Sequence, residues 1–266
     1  MPDGLAIDID GVLTVSWEPL PGAVDALAAV RAAGVPFVLL TNTTSRTRDR
    51  IAATLADAGF PVRRDDVLNA PSATAAYLRT HHAGARCLVL TSGDVDHDLE
   101  GVTLAGPDDD VDVVVMGGAG PEFGYAELNR AFRALLDGAP LVAMHRNLFW
   151  ATDGGLSLDS GAFLAGLEQA ANVEATVLGK PAPAFFDAAL DRLGTTAQAT
   201  VMVGDDLEAD VLGAQEHGMA GVLVRTGKFR PEDERGTGDD GPNHVLDSFA
   251  DVPRLLGLRA AGPTGR

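Results

Sequence analysis

The chain has 266 residues, 46% hydrophobic and 22% charged, so it can bury the core of one large domain or two modest ones. Acidic residues outnumber basic ones by 38 to 20, and this net charge of −18 excludes a basic nucleic-acid clamp and disfavours docking on anionic membranes. A single cysteine, Cys87, excludes an internal disulfide and a cysteine-based zinc cluster. No apolar run is long enough to span a bilayer, and the start Met1-Pro2-Asp3 is not typical of a signal peptide, so we expect a soluble cytoplasmic protein.

Lysine is rare in this chain: the 20 basic residues comprise 18 arginines and only two lysines. An acidic, lysine-poor composition is typical of proteins that stay soluble in concentrated salt, and it also arises in GC-rich genomes. The composition leaves both origins open. In either case each lysine that remains is informative.

The first 70 residues predict alternating strands and helices. Short apolar runs indicate the strands, and the glycines Gly34 and Gly59 mark the ends of the helices. This order is typical of β-α-β units, which form parallel sheets. The predicted elements are a strand over 5–7, a helix over 22–33, a strand over 36–40 and a helix that Ser45 caps and that ends near residue 58.

The rest of the chain continues in the same α/β style. We expect an α/β fold with a Rossmann-like parallel-sheet core in two segments, 1–70 and 178–266, and an α/β cap inserted over 71–177. The predicted elements are a helix over 72–81, strands over 87–90 and 111–116, a helix over 125–136, a strand over 141–143, a helix containing Phe185 and Phe186, a strand over 200–203, a further helix and a strand over 221–224.

Two carboxylates, Asp8 and Asp10, follow the first predicted strand directly and precede Gly11. Asp-x-Asp pairs recur by chance in this Asp-rich chain, for example at Asp108 and Asp110, where they lie in acidic loops. Carboxylates at the carboxyl end of a strand instead point into the crevice where α/β proteins bind ligands. Such close like charges need a cation or a shared proton, although a turn or helix cap would also use these residues.

Three further polar segments occupy equivalent positions. Thr41 and Asn42 follow the second strand and can hold phosphate oxygens, or else cap a helix. Lys180 precedes a helix, and a lysine in this arginine-rich chain indicates either that a compact ammonium is needed or simply a surface residue. Gly204-Asp205-Asp206 follows a later strand, with Asp210 about one turn further on, and these clustered carboxylates suit Mg²⁺ or else cap a helix.

Other polar residues have simpler explanations. His81 and His82 end a helix, Cys87 lies in an apolar strand, and the glycine-rich segment 117–120 lacks the lysine and spacing of a phosphate-binding loop. The segment 145–147, His145-Arg146-Asn147, follows a predicted cap strand, and the sequence leaves open whether it faces a substrate or solvent.

The order of these motifs resembles the haloacid dehalogenase (HAD) superfamily of phosphotransferases. The long insert resembles the NagD-like type with a large α/β cap, and the segments 135–141 and 224–229 resemble the branch containing phospholysine phosphohistidine inorganic pyrophosphate phosphatase. The motifs that carry the resemblance are Asp8-Ile9-Asp10-Gly11-Val12-Leu13, Leu40-Thr41-Asn42, Gly179-Lys180-Pro181 and Gly204-Asp205-Asp206-Leu207-Glu208-Ala209-Asp210.

The resemblance implies a Mg²⁺-dependent phosphatase working through an aspartyl-phosphate. Asp8 is then the nucleophile and Asp10 the general acid and base. Thr41, Asn42 and Lys180 bind the phosphoryl group. The metal ligands are Asp8, the Asp10 carbonyl and Asp205, supported by Asp206 or Asp210.

The expected partner is a small phosphorylated molecule, with no nucleic acid and no membrane. Sugar phosphates, nucleotides, pyridoxal phosphate, pyrophosphate and phosphoamino acids all stay open, as do monomer and homodimer. The alternatives are a phosphotransferase or mutase of the same fold and a phosphate-binding protein whose catalytic site has decayed.

Overall fold

The computed structural model describes residues 2–121, 123–152, 155–234 and 241–258. Its strands alternate with helices, as a parallel α/β fold requires. In chain order the strands are β1 (Gly4–Asp8), β2 (Thr14–Val15), β3 (Glu18–Pro19), β4 (Phe37–Thr41), β5 (Val67–Asn69), β6 (Arg86–Leu90), β7 (Thr103–Leu104), β8 (Val113–Met116), β9 (Leu141–Ala143), β10 (Phe149–Thr152), β11 (Gly155–Leu158), β12 (Thr176–Val177), β13 (Thr200–Gly204), β14 (Ala220–Val224) and β15 (His244–Leu246).

The α-helices lie in the connections between strands, except the last one, which follows β15. A turn of π-helix, Leu207–Leu212, runs directly into one of them. Among the described helices, none is both long and apolar enough to cross a membrane. The α-helices are α1 (Ala23–Ala32), α2 (Arg48–Asp57), α3 (Ala70–His81), α4 (Tyr125–Leu136), α5 (Ser160–Ala171), α6 (Pro183–Leu193), α7 (Gly213–Glu216) and α8 (Val252–Leu255).

The chain divides into two compact units. Unit 1 comprises Met1–Thr41, Arg48–Leu68 and Phe186–Arg266, and unit 2 comprises Asn42–Thr47 and Asn69–Phe185. The expected domain boundaries, 1–70, 71–177 and 178–266, stay a prediction about the organisation of the chain.

Unit 1 contains a six-stranded sheet in the order β15-β14-β13-β1-β4-β5. The neighbouring pairs from β15 to β4 are parallel. The central strands β1 and β4 are buried along their whole length, because helices cover the sheet and apolar residues occupy successive positions. Leu27 of α1 and Ile51 of α2 belong to the same core as Ile7 and Leu39 of the sheet.

Unit 2 contains a second sheet, in the order β12-β9-β8-β6-β7, in which every neighbouring pair is parallel. Ala131 and Leu135 of α4 and Leu164 of α5 pack in one core with Val114 and Met116 of β8. A separate antiparallel hairpin joins β10 and β11. The expected α/β fold with a parallel, Rossmann-like sheet is confirmed.

Helix starts differ from the sequence-based expectations. The helix α2 begins at Arg48, so Ser45 does not cap it as expected. The chain at Ser45 is a bend, and the Ser45 hydroxyl lies 3.1 Å from the Thr43 hydroxyl. The helix α3 begins two residues earlier than expected. The reason is the buried Asn69, whose side chain accepts a hydrogen bond from the Ser72 N–H and caps the helix.

Candidate active site

The register of the central strands brings the predicted carboxylates together at one edge of the unit 1 sheet. In β1, Ile7 lies opposite Val203 of β13, so Asp8 and Asp205 follow at neighbouring strand ends. On the other side, Asp8 lies opposite Leu40 of β4, which places Thr41 one residue further along. The carboxyl ends of parallel strands are where this fold class binds its ligands.

Three carboxylates form a compact buried group, which we call the carboxylate cluster: Asp8, Asp205 and Asp210. One oxygen of each lies within 4.8 Å of the others, and the residues are 7%, 1% and 1% exposed. Three buried negative charges this close repel one another strongly unless a cation or protons compensate them. An all-oxygen donor set is the kind that Mg²⁺ prefers, so these residues fit the expected metal.

Asp210 reaches the cluster through the π-helical turn after β13. The Asp206 carboxylate accepts the Ala209 N–H at 3.1 Å and caps this turn. Asp210 in turn accepts the Asp206 N–H at 3.3 Å. A π-turn places a side chain where a regular helix would not, and such turns are frequent at functional sites. Within the described residues, Asp206 and Asp10 are not part of the carboxylate cluster.

Asp10 lies at the turn that follows β1. The residue is exposed and forms an isolated bridge with Thr14. The neighbouring Gly11 N–H donates to the Thr14 carbonyl at 2.6 Å and tightens the turn. The Asp10 side chain therefore faces away from the core, where a general acid can meet a substrate and water.

A short segment, Thr226-Gly227-Lys228, crosses the carboxylate cluster, and we call it the strap. The Thr226 hydroxyl donates to the Gly11 carbonyl at 2.5 Å, and the Lys228 N–H donates to Asp205 Oδ2 at 2.7 Å. Gly11 and Gly227 both have positive φ, and a Cβ on either would overlap Asp205 Oδ2. Glycine is needed at both positions because the backbone approaches the carboxylate so closely.

Lys228 places a positive charge beside the carboxylate cluster. Its ammonium lies 3.2 Å from Asp206 Oδ2, and its side chain is 69% exposed. Partial loss of hydration lowers the pKa of Lys228, but the negative charges of Asp206, Asp205 and Asp8 outweigh this and raise the pKa overall. The ammonium therefore stays charged at neutral pH.

In unit 2, the Asn42 side chain forms two hydrogen bonds with the backbone of Lys180. The Lys180 N–H donates to Asn42 Oδ1 at 2.8 Å, and Asn42 Nδ2 donates to the Lys180 carbonyl at 3.0 Å. The peptide bond from Lys180 to Pro181 is cis, and Lys180 is 8% exposed. The reciprocal pair fixes where the lysine side chain starts. It also brings Asn42 and Lys180, which are 138 positions apart in the sequence, into direct contact.

His145 and Asp159 form a buried pair in unit 2. His145 Nε2 lies 3.9 Å from Asp159 Oδ2, and the Asn147 N–H donates to His145 Nδ1 at 3.3 Å. Burial lowers the pKa of His145, and the charge of Asp159 opposes this only in part. Asp159 also accepts the N–H groups of Ser160 and Ala119 at 2.7 and 3.0 Å.

The other residues of the segment 145–147 have different surroundings. Arg146 makes a bidentate ion pair with Glu168 at 2.6 and 2.8 Å, and Asn147 is exposed. The glycine-rich segment 117–120 follows β8, and the Gly118 N–H donates to the Thr44 hydroxyl at 3.1 Å. Cys87 is buried in β6, where burial raises the pKa of its thiol.

Sequence reasoning missed Lys228 and the strap as parts of this site. The scarcity of lysine was the available signal, since the chain's two lysines are Lys180 and Lys228. Thr226 had no comparable signal, because threonine is common and its partner Gly11 lies 215 residues away. The pairing of His145 with Asp159 was also not predictable, because aspartate is common in this chain and nothing in the local sequence distinguishes Asp159.

Comparison with known proteins identifies the family. A family model described as haloacid dehalogenase-like hydrolase matches residues 5–105, and a second HAD-hydrolase-like model matches residues 177–252. The human haloacid dehalogenase-like hydrolase domain-containing protein 2 is 39% identical over 228 residues, covering 86% of each chain. The chain belongs to the haloacid dehalogenase-like hydrolase family.

Two further similarities place the chain within the family. Rat phospholysine phosphohistidine inorganic pyrophosphate phosphatase is 34% identical over 259 residues, covering 95% of this chain and 93% of that protein. The structure of NagD from E. coli K-12 superposes with a TM-score of 0.85 at 28% identity, covering 94% of this chain and 98% of NagD. The predicted NagD-like HAD membership and the prediction of an enzyme are confirmed.

Proposed function

We propose that this HAD-family enzyme is a magnesium-dependent phosphatase that hydrolyses small phosphate esters or pyrophosphate through an aspartyl-phosphate on Asp8. The observation that carries the proposal is the carboxylate cluster at the ends of β1 and β13. A buried group of three carboxylates is costly for stability, and a bound divalent cation offsets that cost and attracts a negatively charged phosphoryl group. The similarity to a named phosphatase supports the same chemistry.

In the first step, an Asp8 oxygen attacks phosphorus in line with the leaving group. The new bond joins Asp8 to phosphorus, and the bond from phosphorus to the leaving oxygen breaks with its electron pair. Asp10 gives its proton to that oxygen, so an ester releases a neutral alcohol and pyrophosphate releases protonated phosphate. The exposed position of Asp10 beside buried Asp8 suits this division of work.

In the second step, Asp10 removes a proton from water, and the resulting hydroxide attacks the phosphorus of the aspartyl-phosphate. The bond from Asp8 to phosphorus breaks, and the product is inorganic phosphate. Lys180, Thr41 and the Asn42 backbone bind phosphoryl oxygens in both steps and stabilise their charge. The reciprocal hydrogen bonds of Asn42 with Lys180 support this role, because they fix the lysine backbone.

Mg²⁺, when bound, neutralises phosphoryl charge and polarises the bond under attack. We propose Asp8, Asp205 and the Asp10 carbonyl as its ligands. Asp210 is the favoured supporting carboxylate, because it belongs to the carboxylate cluster whereas Asp206 caps the next turn.

The test is release of inorganic phosphate from a panel of phosphate esters and pyrophosphate, with Mg²⁺ present and after chelation with EDTA. We expect phosphate release that depends on Mg²⁺ and returns when Mg²⁺ is restored. Activity that survives complete removal of divalent cations would contradict the proposal.

The same panel separates the alternatives. A phosphotransferase or mutase would yield a new phosphate ester in the presence of a second organic acceptor, with little inorganic phosphate. A decayed binding protein would turn over none of the esters at any salt concentration. The proposed substrate is a small phosphorylated molecule. We also propose that the enzyme is cytoplasmic.

A further inference from the structure

Lys228 is an unexpected cation in a strongly acidic molecule. The chain carries a net charge of −18 and uses lysine at two positions, 180 and 228. The first lies in a motif of the family. The second is exposed, and its ammonium lies 3.2 Å from Asp206 Oδ2. The negative charges of Asp206, Asp205 and Asp8 raise the pKa of Lys228.

The Lys228 backbone is fixed independently of its ammonium. Its N–H bonds to Asp205 Oδ2 at 2.7 Å, and Thr226 anchors the strap to the Gly11 carbonyl. A substitution that changes only the Lys228 side chain therefore leaves both of these hydrogen bonds in place. This separation allows the charge to be tested without disturbing the shape of the carboxylate cluster.

A fixed positive charge at this position has two opposite effects. Without metal, it offsets the repulsion among the clustered carboxylates and stabilises the fold. With a divalent cation present, the like charges repel, so the affinity for the cation falls. Both effects weaken with salt, because the side chain is exposed and screening acts on it.

We propose that Lys228 is a tethered counter-ion of the carboxylate cluster, which stabilises the metal-free enzyme and weakens the binding of the divalent cation. This inference rests on the proposed metal site. Lys228 is a positioning and charge-balancing residue and makes no contact with the reacting atoms in this account. Its role is to reduce the repulsion that destabilises the fold while the metal is absent. It also lowers the affinity for the metal, so that the bound metal can dissociate.

The test compares three variants, Lys228→Met, Lys228→Arg and Arg254→Met. Lys228→Met removes the charge and keeps the length, and Lys228→Arg keeps the charge. Arg254→Met is the matched control, because it removes the same charge from an exposed ion pair with Asp251 outside the cluster. Calorimetric titration with Mg²⁺ alone and the melting temperature without Mg²⁺ are both measured without any substrate.

At low ionic strength we expect Lys228→Met to bind Mg²⁺ about fivefold more tightly than the parent enzyme, the size typical of an exposed charge interaction. Its metal-free melting temperature should fall. Lys228→Arg and Arg254→Met should resemble the parent in both measurements. At about 1 M KCl the Debye length is about 3 Å, so the difference in affinity should largely disappear.

Equal or weaker Mg²⁺ binding by Lys228→Met would overturn the inference while the metal site stands. The same holds if Lys228→Arg behaves like Lys228→Met, because the hydrogen-bond geometry and not the charge would then be decisive. If the parent enzyme binds no Mg²⁺ at all, the proposed function and this inference both fail.

Discussion

The two units contain parallel sheets of similar design but differ in the residues that follow their strands: unit 1 has buried carboxylates there, whereas unit 2 has an uncharged backbone hydrogen bond. In unit 1, the ends of β1 and β13 lead into three buried carboxylates. In unit 2, an uncharged backbone hydrogen bond joins the segments after β6 and β8: the Ser92 N–H donates to the Gly118 carbonyl at 2.8 Å. The buried acid of unit 2, Asp159, accepts two backbone N–H groups and faces His145.

This difference separates architecture from chemistry. A parallel sheet provides a row of strand ends in both units. The buried carboxylates that could bind a cation lie at the strand ends of unit 1, so the residues at the strand ends, and not the sheet itself, determine the chemistry. The acid in unit 2 accepts hydrogen bonds from the backbone and contributes to structure. The acids in unit 1 are clustered within 4.8 Å of one another, and Asp205 also accepts the Lys228 N–H of the strap.

The largest expected effect comes from replacing the nucleophile in unit 1. Asp8→Asn should lower kcat by about 10³-fold or more, because an amide does not replace a carboxylate in attack on phosphorus. The matched control is Asp108→Asn, which makes the same change in an exposed Asp-x-Asp pair of unit 2. Steady-state phosphate release should be normal in the control, and a substantial kcat in Asp8→Asn would rule out the mechanism.

The next effect depends on the substrate. Asp10→Asn should slow hydrolysis of an alkyl phosphate by about 10²-fold or more, since its leaving oxygen needs a proton. Nitrophenyl phosphate should lose less in the first step, because nitrophenolate leaves without protonation. The burst phase of rapid-quench kinetics measures that step separately. Equal losses in the burst rate for both substrates would argue against Asp10 as the acid.

A smaller effect concerns the buried pair of unit 2 and appears in stability. Burial lowers the pKa of His145 from 6.5, so below about pH 6.5 the unfolded chain binds a proton that the folded chain resists. The unfolding free energy should therefore decrease as the pH falls through this range, by at most about 1.4 kcal/mol per pH unit from this residue.

His145→Gln should show a shallower decrease between about pH 7 and about pH 5, the range on either side of the ordinary histidine pKa. Exposed His244→Gln is the control and should keep the slope of the parent. Urea unfolding at each pH measures the slopes. Identical slopes in all three proteins would show that His145 titrates alike in the folded and unfolded chains.

The smallest expected effect is the dependence of the melting temperature on salt, which arises from charges over the whole surface. At about 0.01 M salt the Debye length is about 30 Å, so the excess negative charges repel across the molecule, whereas at about 1 M it is about 3 Å. With Mg²⁺ fixed, the melting temperature should rise with KCl, most steeply at the low end. A flat or falling curve would favour genome composition over salt adaptation as the origin of the acidic bias.

Much of the fold was predictable because its elements carry strong local patterns. The helix α4 and the strand β9 have the predicted bounds, 125–136 and 141–143. The hairpin of β10 and β11 was not predicted, because its pairing is visible only once both strands are aligned. The helix α5 was also missed, since Gly161 and Gly166 weaken its pattern.

The candidate site was predictable where chemistry follows a strand directly. Asp8 and Asp205, which belong to the carboxylate cluster, were recognisable in the sequence because each follows an apolar run. The role of Thr41 stays a prediction. It was not predictable that Asp210, and not Asp206, would belong to the carboxylate cluster, because this depends on the π-helical turn after β13. Lys228 reaches Asp205 from 23 residues away, and no local pattern encodes that contact.

The central claim is that Asp8 carries the phosphoryl group during turnover. The most direct measurement is mass spectrometry of acid-quenched enzyme mixed with excess substrate and Mg²⁺, followed by peptide mapping. We predict one added phosphoryl group on the peptide containing Asp8, absent in Asp8→Asn and lost when the quenched enzyme is made alkaline. A phosphoryl group on any other residue, or turnover with no phosphorylated enzyme at any quench time, would contradict the account.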